Sequence, residues 1–187
     1  MSDHLDYEIN KELGECYLFM GDMDKAEEYY LKAMGSNGVH CDPYLGLATI
    51  AVQRGDLPRA KEMYIKASSI EKSDKSVAGL ALVEMEGGEL DNAFVHFQEA
   101  LAMNPENMIA LYGMVQTGST LGRLSDVVPH LVNYLAVDPL KDNVRFTLAG
   151  CLVSLGEEDE ASRHLERIME NDPEFTPARE LYEKLSA

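Results

Sequence analysis

Residues 41–73 read CDPYLGLATIAVQRGDLPRAKEMYIKASSIEKS. Two apolar stripes of helical period lie in this stretch. Tyr44, Leu47, Ala48 and Ala51 stand at i, i+3, i+4 and i+7, and Ala60, Tyr64 and Ala67 at i, i+4 and i+7. Gly55 separates the stripes. A glycine there accepts positive φ and ends the first helix. Pro58 follows three residues later, and proline is pre-set for the opening of a second helix. The stretch predicts two amphipathic helices joined by a tight turn.

Working outward, the same pattern fills the chain. Gly21, Gly55, Gly88, Gly122 and Gly156 are spaced by 34, 33, 34 and 34 residues. Five residues after them stand Ala26, Ala60, Ala93, Val127 and Ala161, and nine after them Tyr30, Tyr64, Phe97, Leu131 and Leu165. Eight before them stand Leu13, Leu47, Leu80, Met114 and Leu148. Second helices are expected to open at Asp24, Pro58, Asp91, Ser125 and Asp159, where Asp and Ser accept hydrogen bonds from free first-turn N–H groups. Asn104-Pro105, Asp138-Pro139 and Asp172-Pro173 close three of the units, because proline stops one helix before the next. Pro129 falls inside one second helix and predicts a delayed start or a kink. A hairpin of this kind buries its stripe only by stacking on a neighbour.

These columns resemble the tetratricopeptide repeat, a helix–turn–helix unit of about 34 residues with Leu-Gly, Tyr, Ala, Phe and a closing Pro at set offsets. The resemblance covers units 7–40, 41–73, 74–107, 108–141 and 142–175. It departs from the pattern in lacking tryptophan, in Val127, Gly118 and Tyr134 of unit four, and in Gly38 and Lys72 where later units close with proline. It implies an all-α fold, a right-handed superhelical α-solenoid of stacked antiparallel helix pairs, with about eleven helices in a single domain over 1–187. The tail 176–187 reads as a capping helix: Thr176 caps it, Pro177 suits its first turn, and Ala178, Leu181, Tyr182 and Leu185 form its stripe.

The resemblance also implies that first helices line a concave surface that takes a peptide or a partner's helix. Opposite the core stripe, helical geometry puts Glu8, Lys11, Glu15 and Leu18 in unit one, then Asp42, Leu45, Thr49 and Val52. Lys75, Ala78, Leu82 and Met85 follow, then Ile109, Tyr112, Gln116 and Ser119, and finally Asn143, Phe146, Gly150 and Val153. The column Leu45, Ala78, Tyr112, Phe146 is too apolar for a face meant only for water, and such a strip marks an interaction site. Packing against neighbouring helices of a tight superhelix is the other explanation. Tyr112, Phe146 and Met85 are good anchor types. Gly46, Gly79 and Gly113 form a second column, continued by Thr147. Glycine inside a helix costs roughly 1 kcal/mol against alanine, so a ligand or an adjacent helix must approach closely there. The expected partner-binding set is Leu45, Gly46, Thr49, Ala78, Gly79, Leu82, Met85, Tyr112, Gly113, Gln116, Asn143 and Phe146. The family's carboxylate-clamp subset is not expected: Lys11 and Lys75 suit it, but Glu15, Gly46 and Gly79 occupy places that call for Asn and Arg.

Composition narrows the function classes. With 16 basic and 33 acidic residues the chain carries −17, which opposes binding to a phosphate backbone. The charge is spread: −6 over 1–40, +1 over 41–73, −6 over 74–107, 0 over 108–141 and −6 over 142–187. It serves solubility or steers a basic or amphipathic partner. No apolar run reaches the ~20 residues of a membrane helix, and Met1–Asn10 has three acidic residues and no signal-like stretch. Cys16, Cys41 and Cys151 form no CxxC pair and suit a reducing, cytoplasmic setting; Cys16 and Cys151 hold equivalent places and read as semi-buried. His96, His130 and His164 are in register near the outer surface of second helices. Packed helices ~8–10 Å apart do not bring such a row onto one ion with its ~2.1 Å bonds, so no metal and no cofactor is expected. No nucleotide, zincin or nucleophile-elbow motif occurs, and no enzyme is expected. The functional expectation is a non-enzymatic scaffold that holds an apolar partner segment. The alternative is a self-assembling structural protein, joined through the concave face or the C-terminal helix.

Overall fold

The computed structural model describes residues 2–36 and 39–186, and Gly38, the expected end of unit one, lies outside them. Among the described residues there are eleven α-helices and no strand. They are α1 (Ser2–Phe19), α2 (Met23–Ser36), α3 (Asp42–Gln53), α4 (Leu57–Ile70), α5 (Asp74–Glu86) and α6 (Leu90–Met103). Then come α7 (Met108–Leu121), α8 (Leu124–Val137), α9 (Asp142–Ser154), α10 (Glu158–Asn171) and α11 (Thr176–Leu185).

The five turn glycines all adopt φ between 68° and 81°. Any other L-residue costs roughly 1–2 kcal/mol in that left-handed region. The residue after each glycine donates its N–H five residues back, Asp22 to Tyr17, Asp56 to Ala51, Glu89 to Glu84, Arg123 to Gly118 and Glu157 to Leu152, at 2.7–2.9 Å. This is the Schellman closure, and it satisfies carbonyls that the helix end leaves open.

The second helices open one residue earlier than the sequence suggested. In α2 and α4 the cap is the residue directly after the glycine: Asp22 accepts from the Lys25 N–H and Asp56 from the Arg59 N–H, each at 3.2 Å. Asp24, Asp91 and Asp159 stand in the first turn instead. Negative charge is favourable there too, next to the positive end of the helix dipole. Pro129 does not delay α8, which opens in step at Leu124 and continues through the proline. At α11 the expected cap is displaced: Phe175 is the N-cap, and Thr176, the first helical residue, donates its hydroxyl to the Glu174 carbonyl at 3.3 Å.

The fold falls into two compact units, Met1–Gly113 and Met114–Ala187. In the first, Ala26, Ala60 and Ala93 are fully buried where each second helix meets its first. Large side chains there would hold apart helices that pack ~8–10 Å from each other. Charged side chains tie successive repeats: Glu27 of α2 takes both Arg54 and Arg59, Asp24 takes Arg54 at 2.6 Å, and Lys61 of α4 reaches Glu89 at 2.7 Å. Asp74, at the start of α5, accepts from Asn104 and Asn107, both at 2.9 Å. Burial pulls its carboxyl up, but these two hydrogen bonds outweigh burial and hold it below the usual range.

In the second unit Val127, Leu131, Leu148, Ala149, Leu165 and Ile168 are buried. The helix α11 lies on α10 of its own chain. Ala178 is buried in that contact, and the Tyr182 hydroxyl donates to Glu166 at 2.8 Å.

Candidate functional site

A cavity of about 390 Å³ opens in the first unit, along the exposed side of α1, α3 and α5. The first turn of α7 closes it with Asn107 and Ile109. Its apolar wall is Leu18 of α1, Leu45 of α3, Ala78 and Leu82 of α5, and Ile109. Helical period puts these on one face, since Leu45 and Thr49, and Ala78 and Leu82, are each one turn apart. Asn107 is fixed by its own helix start: its Oδ1 accepts from the Ala110 N–H at 2.9 Å. The Thr49 hydroxyl is turned back onto the Leu45 carbonyl at 3.0 Å, so it presents its methyl outward as much as its oxygen.

The glycine column is explained by the chain's own rings. A Cβ at Gly46 would lie 2.3 Å from the Tyr30 ring, at Gly79 2.2 Å from Tyr64, and at Gly113 2.2 Å from Phe97. Each ring reaches from the preceding second helix against the backbone of the next first helix. Between a ligand and a helix as the close neighbour, the structure gives the helix. Tyr30 and Tyr64 thereby become part of the cavity lining, which reading first helices alone had missed. A signal was present: Tyr30 precedes Gly46, Tyr64 precedes Gly79 and Phe97 precedes Gly113 by 15 or 16 residues. Where the ring is replaced by Leu131, the glycine is replaced by Thr147.

Six of the twelve expected partner-binding residues line this cavity: Leu45, Gly46, Thr49, Ala78, Gly79 and Leu82. Met85 is half-buried one turn along α5, outside the lining. Tyr112 on α7 is 41% exposed, and Gly113 beside it is buried against Phe97. In the second unit Gln116 and Asn143 are exposed. Phe146 there is half-buried, its ring 5.6 Å from that of Phe175, so an anchor position is partly taken by the chain itself.

The charged lining is Glu15, Asp42 and Lys75. Burial, then the nearby charges of Glu15 and Asp42, push the Tyr30 phenol up to about 12. Burial also raises the Tyr64 phenol, and a hydrogen bond with Thr49 works against it. Lys11 is turned onto its own helix, 2.9 Å from Glu8 and 3.4 Å from Glu12.

The histidine column lies deeper than expected. His96, His130 and His164 are half-buried rather than on the outer surface. Two repeats join their first and second helices through a pair of positions twelve residues apart. In unit three these are Glu84 and His96, 2.6 Å apart, and in unit one Tyr17 and Tyr29, stacked at 5.3 Å. Burial lowers the pKa of His130 and, with Arg145 adding to it, that of His164. The equivalence of Cys16 and Cys151 does not extend to burial: Cys151 is buried and Cys16 exposed on α1.

Models of the tetratricopeptide repeat match residues 8–40 and 120–185. The chain belongs to the tetratricopeptide repeat family. Its repeats are 32% identical over 116 residues to BBSome complex member BBS4 of Bos taurus, covering 60% of this chain and 22% of that one. The chain spans between 11 and 22% of the length of the curated relatives it matches. Among solved structures, pilF of Pseudomonas aeruginosa is similar with a TM-score of 0.78 and 15% identity, over 95% of this chain and 82% of that one. YrrB, a tetratricopeptide repeat protein with an unusual peptide-binding site, gives a TM-score of 0.71 and 15% identity, over 93% and 90%. At such identities the likeness shows the fold: helix pairs of the α-solenoid class.

Proposed function

We propose that this chain is a non-enzymatic scaffold whose first unit holds an apolar segment of a partner protein. Tetratricopeptide repeats are protein-interaction modules, and the finer reading rests on one observation. The cavity along α1, α3 and α5 stays open although its wall of Leu18, Leu45, Leu82 and Ile109 is apolar. An open apolar trough edged by charged groups favours a ligand over water. Tyr112, Gln116, Asn143 and Phe146 are proposed as further contacts only singly, each in its own unit. A random peptide library displayed on phage and selected against the intact chain tests the reading. Recovered peptides should bind the Leu45→Glu/Leu82→Glu variant at least about tenfold more weakly, and bind Ile65→Glu, on the exposed side of α4, as they bind the parent. Unchanged affinity for the folded double variant refutes it.

Self-assembly through the C-terminal helix is less favoured, because α11 already spends its buried Ala178 on α10 of its own chain. Sedimentation of the intact chain and of residues 1–175 distinguishes the two readings. We propose a cytoplasmic location because three widely spaced cysteines with no CxxC pair suit a reducing compartment. No described helix is long and apolar enough to cross a membrane.

A further inference from the structure

The groove in the first unit is apolar along its wall, but its charges are not evenly placed. Glu15 comes from α1 and Asp42 from α3, and both line the same cavity. These two helices are in contact, and α3 is in turn in contact with α5. Lys75 enters from the α5 side, adjacent in sequence to Asp74, with which it interacts electrostatically. Lys11, the nearest other cation on α1, is occupied by Glu8 and Glu12. Among the described residues no ion pair holds Glu15 or Asp42; Asp42 accepts a long 3.4 Å hydrogen bond from the Tyr7 hydroxyl and a weak 4.0 Å one from the Cys41 thiol. The Tyr30 phenol lines the same cavity, and the charges of both carboxylates help to hold its proton.

We propose that the α1–α3 end of this groove receives a cationic side chain, lysine or arginine, carried beside an apolar residue of the partner segment. The inference rests on the reading that the groove takes such a segment. Three features suit that side chain. Glu15 and Asp42 supply two carboxylates against one ammonium or guanidinium, a charge-assisted contact stronger than a neutral one. The Tyr30 hydroxyl oxygen adds acceptor lone pairs. Leu18 and Leu45 offer apolar surface along which the aliphatic stem lies while its charged head stays at the acidic rim. Lys75 at the other end repels a second cation, so the groove reads a polarity along the segment: basic toward α1, apolar toward α5.

Two small probes separate the ideas. N-acetyl-lysine methylamide and N-acetyl-norleucine methylamide share the carbon chain and differ in the ammonium group. Each is titrated into the intact, nitrogen-15-labelled chain, and the amide signals of Gly46, Thr49 and Gly79 are followed by NMR. The lysine probe should move these amides saturably and bind at least about tenfold more tightly than the norleucine probe, an advantage that Glu15→Gln and Asp42→Asn each reduce and that salt screens. Circular dichroism confirms that both variants are folded. If the norleucine probe moves the same amides equally well, the cation site falls and the apolar groove stands. If the lysine preference persists unchanged in both variants, the assignment to Glu15 and Asp42 falls. If neither probe moves these amides, the cation site and the groove fall together.

Discussion

A side chain at Gly79 would have to share its place with Tyr64, whose ring stands 2.2 Å from where the Cβ would be. Tyr64 is itself buried, so its ring must shift to admit a methyl group. Gly79→Ala should destabilise the first unit by about 1–3 kcal/mol, the range of overpacking, despite alanine's better helix propensity. In a Tyr64→Leu background the same change should cost less, as the Leu131 and Thr147 pair foreshadows. Denaturant titration of the four chains in a double-mutant cycle measures that coupling. Gly150 provides the control, since nothing lies within 4 Å of its would-be side chain. Gly150→Ala should stabilise by roughly 0.5–1 kcal/mol. The glycines were legible in the sequence as an anomaly inside helices. Their partners were not, because a ring that reaches across from the previous hairpin lies outside the period of the helix being read.

At the scale of elements, helix existence and turn position followed from apolar period and glycine spacing, while helix openings did not. The Schellman turn places its residue after the glycine at the N-cap, one or two positions before the acidic residues that draw the eye. Pro129 is the clearest strain in any one element, sitting in the interior of α8 without an N–H to donate. Pro129→Ala should restore that bond and raise the stability of the second unit by up to about 3 kcal/mol, read as a shift of its thermal transition. The joint between α2 and the following hairpin has a pH signature. Arg54 and then Arg59 hydrogen-bond Glu27 and hold its carboxyl below the usual range. The folded chain then binds fewer protons than the unfolded one near pH 4, so this contribution is complete above the ordinary glutamate pKa of ~4.3 and is lost as pH falls through the depressed folded value. Glu27→Gln should cost about 1 kcal/mol at pH 7, discounted because both arginines reach solvent. The variant and the parent should converge in thermal midpoint below pH 4.

On the scale of the whole molecule, the repeat columns carried the fold almost entire, because every stacked hairpin must solve the same packing problem with the same residue types. The candidate site was legible in part. Leu45, Ala78 and Leu82 stand where helical geometry put them, but Tyr112 and Phe146, from the same column, differ in surroundings: one is open, the other rests on Phe175. A column in sequence gives equal angles on successive helices and says nothing of what a neighbouring loop brings against each. The proposed function requires that a ligand lie in the trough of the first unit. Hydrogen exchange of the intact chain, with and without a peptide selected for binding to it, reads this directly. Added protection should concentrate in residues 42–53 and 74–86, the helices that form the wall. Protection confined to residues 142–185, with α3 and α5 exchanging as in the free chain, would contradict it.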